Sequence, residues 1–366
     1  MPEPLRIDAD PQAGGPWRVD DFDYSLPGEL IAQTPLADRT ASRLMLVRAG
    51  AREFPSSTVA DIGAWLRPGD LLVANNSRVI PARLFARRLP SGGRVELLLL
   101  RRDGPGLWTA LARPARRLSQ GDRLEIPALD GEGDPAAVVI TGKGDGGLVG
   151  LSLPDDDRLD VYGVTPLPPY IAGRLDDPGR YQTVYASADG SAAAPTAGLH
   201  FTRELIASLE GRGVGWAEVT LHVGLDTFRP VSVERAADHV MHREWCEVSD
   251  ATARRIADTR RTKGRVIAVG TTAGRTLETL GQVWDEENPR GLVAETGIFI
   301  TPGYRWRLVD GMVTNFHLPK STLMMMVSAF AGVETIRAAY ATAIAGGYRF
   351  FSFGDAMLMV REDAAA

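Results

Sequence analysis

The fold class this sequence predicts is α/β: a barrel-like main domain built on a mixed sheet, carrying an inserted antiparallel β-barrel domain. Three observations predict it. From about residue 78 to residue 154, short alternating runs are broken by Gly, Pro and Asp with no helical period, as in a small all-β unit. Beyond Pro166 strand-like and helix-like stretches alternate, the pattern of α/β proteins. Finally, 366 residues with 44% hydrophobic content exceed what one ordinary core holds, which favours two domains.

The elements follow in order. Residues 1–17 are rich in Pro, Gly, Asp and Ala without periodicity and read as a disordered N-terminal extension. The α/β domain is assigned to residues 18–74 and 155–366, and the inserted barrel to residues 75–154. Tyr24 to Ile31 reads as a turn into a short helix, Leu44 to Val47 as a strand, Ile62 to Leu66 as a helical turn stopped by Pro68-Gly69, and Leu71 to Ala74 as a buried strand. Within the insert the strand candidates are Val95 to Leu100, Leu107 to Ala112, Asp122 to Ile126, Ala136 to Thr141 and Leu148 to Leu153. Thr165 to Ile171 is proline-rich and stiff, as a crossing between domains would be.

The densest reactive stretch runs from Ala192 to Pro230. Pro195 and Gly198 shape a loop, Thr202 caps a helix whose apolar face is Leu205, Ile206 and Leu209, and Val214 to Val223 has the content of a buried strand. His200 therefore stands at a helix entrance and His222 near a strand end, where α/β proteins assemble sites from loops. Further on, Val266 to Val269 leads through Gly270 into a helix. Ile298 to Ile300 and Met312 to Phe316 are strand candidates, Ser321 to Ala331 is an apolar helix, and Arg349 to Phe353 is a last strand.

Net charge is −5, which argues against indiscriminate coating of nucleic acid. The charge is unevenly spread. Residues 78–123 hold eleven arginines against Glu96, Asp103 and Asp122, a local net of +8 suited either to phosphate contact or to a solvated barrel exterior. Cys246 is the single cysteine, so no internal disulfide forms and a reducing compartment fits. No apolar run reaches the roughly 18 residues of a membrane span and no signal pattern opens the chain, so a soluble, cytoplasmic protein is expected.

Each motif has a plain reading beside its functional one. The turn from Gly270 to Arg275 resembles anion-cradling loops but lacks the phosphate-loop lysine, and it serves equally as a simple strand-to-helix turn. His239, His242 and Cys246 have a zinc-like spacing if helical, but no second ligand cluster completes it, and no metal site is assigned. His200 and His222, with Thr196, Asp226 and Thr227 nearby, are candidates for ligand contact or proton transfer, or else structural histidines. Asn315 and His317 lie where they could line a site, with Ser321 or Thr322 capping the next helix; Met324, Met325 and Met326 read as core packing. No nucleophile elbow supports a hydrolase.

Seven ordered segments carry a family likeness: residues 75–84 (NNSRVIPARL), 166–171 (PLPPYI), 181–185 (YQTVY), 194–201 (APTAGLHF), 220–224 (TLHVG), 313–319 (VTNFHLP) and 349–356 (RFFSFGDA). Together they resemble the S-adenosylmethionine:tRNA ribosyltransferase-isomerases of queuosine biosynthesis, over roughly residues 18–360. Asp226 stands where that family has a second glycine, Trp245 where it has tyrosine, and Ala273-Gly274 where it has Ser-Val. The resemblance implies transfer and isomerisation of the ribosyl part of S-adenosylmethionine onto a prequeuosine base at the tRNA wobble position, giving epoxyqueuosine with release of adenine and methionine. It also implies a cytoplasmic monomer with no prosthetic group and no membrane partner, using S-adenosylmethionine as cosubstrate and tRNA bearing the prequeuosine base as partner. Set against that chemistry, His200, His222 and Asp355 are the candidates for proton transfer. Thr196, Gly198, Thr227, Thr271, Thr272, Asn315, His317, Tyr170 and Tyr181 are candidates for binding the cosubstrate, the two tyrosines as faces for the sulfonium. Arg78, Arg83, Arg87, Arg88, Arg113, Arg116 and Arg117 are candidates for tRNA contact. A non-catalytic RNA-binding protein and a methyltransferase are the other classes open.

Overall fold

Period-two alternation builds the main sheet. Along Arg43–Arg48, Leu44 and Leu46 enter one core while Met45 and Val47 enter another; Leu71–Asn75 divides Leu72 and Ala74 from Leu71 and Val73 in the same way, and Val266–Val269 divides Ile267 and Val269 from Val266 and Ala268. A sheet buried on both faces needs apolar side chains at every position, and these runs supply them. In the computed structural model, which describes residues 4–10, 12–173, 175, 177–224 and 231–361, ten strands form this sheet. From edge to edge they are Leu5–Ile7, Leu292–Thr296, Glu244–Val248, Gly215–Leu221, Leu71–Asn75, Val266–Val269, Gly311–Asn315, Ala356–Val360, Arg43–Arg48 and Ser56–Thr58. The four from Gly215–Leu221 to Gly311–Asn315 are parallel, and antiparallel partners flank them on both sides, so the sheet is mixed.

Helices cover both faces. Arg203–Gly211, Asp250–Arg261 and Thr322–Ala331 start where Thr202, Ser249 and Ser321 accept from the N–H groups of Leu205, Thr252 and Met324, so short hydroxyl side chains mark each start as expected of caps. Thr271–Gly281 and the pair Thr322–Ala331 and Val333–Ala345 pack into the larger core with the three methionines. Among the described residues, no single helix is long and apolar enough to cross a membrane.

The insert is a closed antiparallel barrel: Arg83–Arg88, Gly93–Gly104, Leu107–Arg113, Leu148–Ser152, Ala136–Lys143 and Arg123–Ile126 pair in turn, and the last rejoins the first through Arg87 opposite Glu125 and Arg88 opposite Leu124. Its inward-facing residues, among them Leu84, Ala86, Leu97, Leu99, Ala110, Leu124, Val138 and Leu151, form a core separate from the main sheet. Gly163–Val164 adds to the edge of Arg83–Arg88, where a side chain on Gly163 would lie 1.9 Å from the Pro81 carbonyl oxygen.

Three expectations are corrected. Residues 1–17 are not wholly disordered: Leu5–Ile7 pairs in parallel with Leu292–Thr296, an edge strand offering open backbone that a weakly apolar segment can join. Arg349 to Phe353 is not a strand; the last strand is Ala356–Val360. The aromatic run suggests β structure, but Phe351 takes a positive φ of 69° and Gly354 donates to its carbonyl, closing a turn that leaves only an isolated bridge from Phe350 to Ile31. Ile298 to Ile300 is buried but pairs with no strand; the strand lies just before it, at Leu292–Thr296.

The start of the central strands is tied by a buried ion pair. Arg265 reaches Asp70 through Nε (3.0 Å) and Nη2 (2.5 Å), and Asp70 also accepts from the backbone N–H groups of Arg67 and Arg265. Both side chains are almost wholly buried, so removing one partner strands the other's charge. Asp70→Ala is expected to lower the unfolding free energy by about 3 to 5 kcal/mol, read from urea denaturation. A loss under about 1 kcal/mol, the scale of an exposed pair, would show that this pair does not hold the strands.

Candidate active site

In an open parallel sheet, backbone groups and side chains emerge beyond the carboxyl ends of the strands, and a site forms there. Asn75 closes one central strand, Gly270 and Thr271 follow the next, and Asn315 closes a third. A cavity of about 60 Å³ lies at these ends. Six of the candidate binding residues line it: Tyr170, Thr196, Thr271, Thr272, Asn315 and His317, drawn from four separate parts of the chain. Gly270, at φ 95°, turns the chain so that Thr271 and Thr272 open the helix at the cavity wall.

Asn315 is the hub of the polar network. Its Oδ1 accepts from Thr196 Oγ1 at 3.1 Å, and its amide nitrogen donates to His200 Nε2 at 3.1 Å. Because an amide NH₂ only donates, Nε2 is the accepting nitrogen of His200. Asn75, which sequence reasoning passed over although it opens the first family segment, fixes the neighbouring wall: its amide donates to Leu221 O and Thr272 Oγ1, and its Oδ1 accepts from Leu221 N and Ser77 N. Ser352, also missed, shares a 2.7 Å hydrogen bond with the Tyr170 hydroxyl and lines the cavity. Burial pushes the Tyr170 phenol up to about 12, so it stays protonated. His317 meets Thr314 Oγ1 through Nε2 at 2.8 Å and is pinned by its backbone, whose N–H donates to the Tyr340 hydroxyl and whose carbonyl accepts from Tyr24.

The remaining candidates sit elsewhere. His200 is buried behind Asn315 and does not line the cavity. His222 stacks on Trp245 with ring centres 5.1 Å apart and lies against Gly190, where a side chain would come within 3.1 Å of the imidazole. It too is absent from the cavity wall, although Val223 beside it is present. The two imidazoles therefore do not meet at one mouth as expected; each is packed into a different wall. Asp355 is spent on structure: its carboxylate accepts from Arg43 N, Arg43 Nε and Arg349 N. Tyr181 is fully buried against Phe353, 5.9 Å between ring centres, so it offers a sulfonium no open face. Gly198 makes room, since a side chain there would fall 2.0 Å from the Tyr185 hydroxyl. Thr227, like Asp226, lies outside the described residues.

The zinc-like spacing of His239, His242 and Cys246 required a helix. Instead the segment runs from the turn Ala236–Asp238 into the strand Glu244–Val248, with His239 edge-on to Phe299 and Cys246 buried. Among the described residues no three His, Cys, Asp or Glu side chains converge as a metal site would.

Of the arginines, Arg87, Arg113, Arg116 and Arg117 are exposed on the barrel and have no ion-pair partner among the described residues, whereas Arg83 faces Glu96, Arg88 pairs with Asp122, and Arg78, outside the barrel, grips Asp189. A cleft of about 840 Å³ lies between the barrel and a small parallel pair of strands, Ser77–Val79 with Ala188–Ser191, with Arg78, Trp108, Asp156, Gln182 and Asp189 among its walls. An apolar cavity of about 420 Å³ between residues 21–25 and the helices Thr322–Ala331 and Val333–Ala345 is larger than the strand-end cavity. Its Tyr24 and Tyr340 hydroxyls are already spent on the His317 backbone and Arg337 is bonded to Glu334 and Asp21 O, so the unspent polar chemistry is at the strand ends.

Burial, with Arg39 and Arg349 nearby, brings the His200 imidazole down to about 4, and burial brings His317 down to about 3. Both are neutral at neutral pH. In the unfolded chain each titrates near 6.5, so as pH falls below about 6.5 the unfolded state takes up protons that the native state refuses, and stability declines until His200 itself titrates near 4. Urea midpoints are expected to fall more steeply between pH 6.5 and 4.5 for the wild type than for His200→Gln, which removes one such group. Equal slopes would show that His200 is not held neutral.

Comparison with known proteins places these residues in context. The family profile described as queuosine biosynthesis protein matches residues 19–359. A relative from Halothermothrix orenii, called S-adenosylmethionine:tRNA ribosyltransferase-isomerase, is 48% identical over 94% of this chain and 100% of its own length. One of the same name from Caldanaerobacter subterraneus is 49% identical over 93% of this chain and 99% of its own. Among solved structures, S-adenosylmethionine tRNA ribosyltransferase from Thermotoga maritima aligns with a TM-score of 0.54 and 40% identity, covering 93% of this chain and all of that one. All seven segments quoted above fall wholly within the matched span, and with them every residue that lines the strand-end cavity; the chain belongs to the queuosine biosynthesis protein family.

Proposed function

We infer that this chain is an S-adenosylmethionine:tRNA ribosyltransferase-isomerase, transferring and isomerising the ribosyl group of S-adenosylmethionine onto the prequeuosine base at the tRNA wobble position, with adenine and methionine released. The observation that carries the reading is the family likeness over nearly the whole chain, joined to a strand-end cavity walled by hydroxyl, amide and imidazole groups. The cosubstrate occupies that cavity. At about 60 Å³ it admits a nucleoside only as its walls part, since ligand sites of that size run to several hundred Å³.

Roles follow from which atoms are free. Asn315 keeps one Oδ1 lone pair beyond its bond from Thr196, while its amide hydrogens go to His200 and, at 3.5 Å, to the Asp355 carbonyl, so what it offers the edge of adenine is an acceptor for the exocyclic amine. His200 acts through Asn315 as a positioning residue. His317 is too weakly basic to be a cationic acid at neutral pH and serves as a neutral hydrogen-bonding wall. The sulfonium acidifies the adjacent ribose carbon, whose proton needs an acceptor. His222, beside the cavity-lining Val223, is that acceptor once the walls part to admit the nucleoside: its Nδ1 is buried without a hydrogen-bond partner among the described residues, and burial lowers its basicity while Asp189 opposes the effect. Tyr170 presents a neutral ring beside the cavity for the sulfonium. The tRNA is held by Arg87, Arg113, Arg116 and Arg117 on the barrel and enters the cleft beside it. The protein works in the cytoplasm as a monomer.

One chromatographic assay with tRNA carrying the prequeuosine base tests the reaction. Free adenine and methionine are expected; S-adenosylhomocysteine would mark a methyltransferase, and no consumption a binding protein. In the same assay His222→Ala should slow adenine release at least about tenfold, the low side of acid–base effects, and an unchanged rate removes His222 from the chemistry. Reversing Arg87, Arg116 and Arg117 to Glu together should weaken tRNA binding and lower the slope of log affinity against log salt by about two to three, and an unchanged slope would remove the barrel from the tRNA interface.

A further inference from the structure

One turn along the helix that opens at the strand-end cavity, Arg275 faces a second, smaller cavity of about 20 Å³. The two cavities are neighbours: Leu323 contributes to the wall of both. Arg275 is 7% exposed, and its guanidinium is only partly used. Nη1 donates to Glu244, whose carboxylate burial alone would raise but which Arg275, then His242 and the Gly224 N–H, bring down to about 2. Nε and Nη2 are buried and have no hydrogen-bond partner among the described residues.

These two nitrogens form one edge of the guanidinium fork, the edge whose parallel N–H groups match the two oxygens of a carboxylate. An arginine kept only to neutralise Glu244 would leave two buried donors unmet at a cost in stability, and buried polar groups without partners need a reason. The cavity that Arg275 lines is otherwise mainly apolar, with Met241, Ile298, Ile300, Leu323 and Met326, which suits a short methylene chain leading to an anionic end. His242 also lines it, with Nε2 3.4 Å from Glu244, so a second group of basic character stands beside the added negative charge.

We propose that Arg275 binds the α-carboxylate of the methionyl end of the cosubstrate, the methylenes passing Leu323 from the larger cavity into the smaller one. This rests on the cosubstrate reading above. Nothing is transferred at Arg275; it is a binding residue that anchors one end of the molecule while the ribosyl end reacts.

Calorimetric titration with S-adenosylmethionine and with its decarboxylated analogue, in which hydrogen replaces the α-carboxylate, tests it. The wild type should bind the carboxylated compound at least about tenfold more tightly, the scale of a charge-assisted bidentate contact. Arg275→Lys keeps a cation opposite Glu244 but lacks the fork, and should bring the two affinities within about threefold. If that variant does not fold, the double variant Arg275→Gln, Glu244→Gln removes both charges and should show the same narrowing. Equal wild-type affinities, or a variant that keeps the wild-type ratio, would overturn the carboxylate assignment while leaving the cosubstrate reading standing. Failure of the wild type to bind either compound would bring down both.

Discussion

The molecule depends on a constraint imposed by its central parallel strands. Leu71–Asn75, Val266–Val269 and Gly311–Asn315 are buried along their full length, so they tolerate polar side chains only where they end. Asn75 and Asn315 occupy those ends, and Thr271 and Thr272 follow the third strand at once. Each amide is satisfied by at least three groups from distant segments, which is how a carboxamide survives in so apolar a setting. The same bonds that make burial tolerable also fix the orientation of the cavity wall. Stability and site geometry therefore share one set of contacts.

Burial also decides which groups can carry protons. His200 and His317 are enclosed and neutral, and Asp355 is locked by Arg43 and Arg349 into holding the loop before the last strand. Residues that look reactive in the sequence thus become structural or orienting ones, whereas His222 and Arg275 retain nitrogen atoms without a hydrogen-bond partner among the described residues. A buried donor or acceptor left open is costly, and it persists where a ligand completes it.

The barrel contributes differently. Its interior is a closed set of alternating small and branched apolar residues with no part in the main cores, which leaves its exterior free to carry charge. Arg83 and Arg88 there spend their charge on nearby carboxylates; among the described residues Arg87, Arg113, Arg116 and Arg117 do not. A count of charges along the chain cannot separate the two groups, because Glu96 and Asp122 find their partners only across strands.

What the sequence determined by itself was whatever is set by local pattern. Unbroken apolar runs announced the central strands, Thr202 and Ser321 marked helix starts within a residue, and Gly- and Pro-punctuated alternation announced the barrel. The ordered segments from residue 75 to residue 356 were enough for the family. Tertiary structure alone decided the rest. Leu5–Ile7 becomes a strand because a sheet edge is available to it, Phe351 turns because Asp355 and Gly354 close a loop around it, and Tyr181 is a core residue because Phe353 covers it. Likewise, Asn315 gathers Thr196 and His200 while His222 is drawn to Trp245 instead. Local pattern reports what a residue prefers; which polar atoms find partners is settled by contacts between segments hundreds of residues apart, and that matching leaves Arg275 with an open edge.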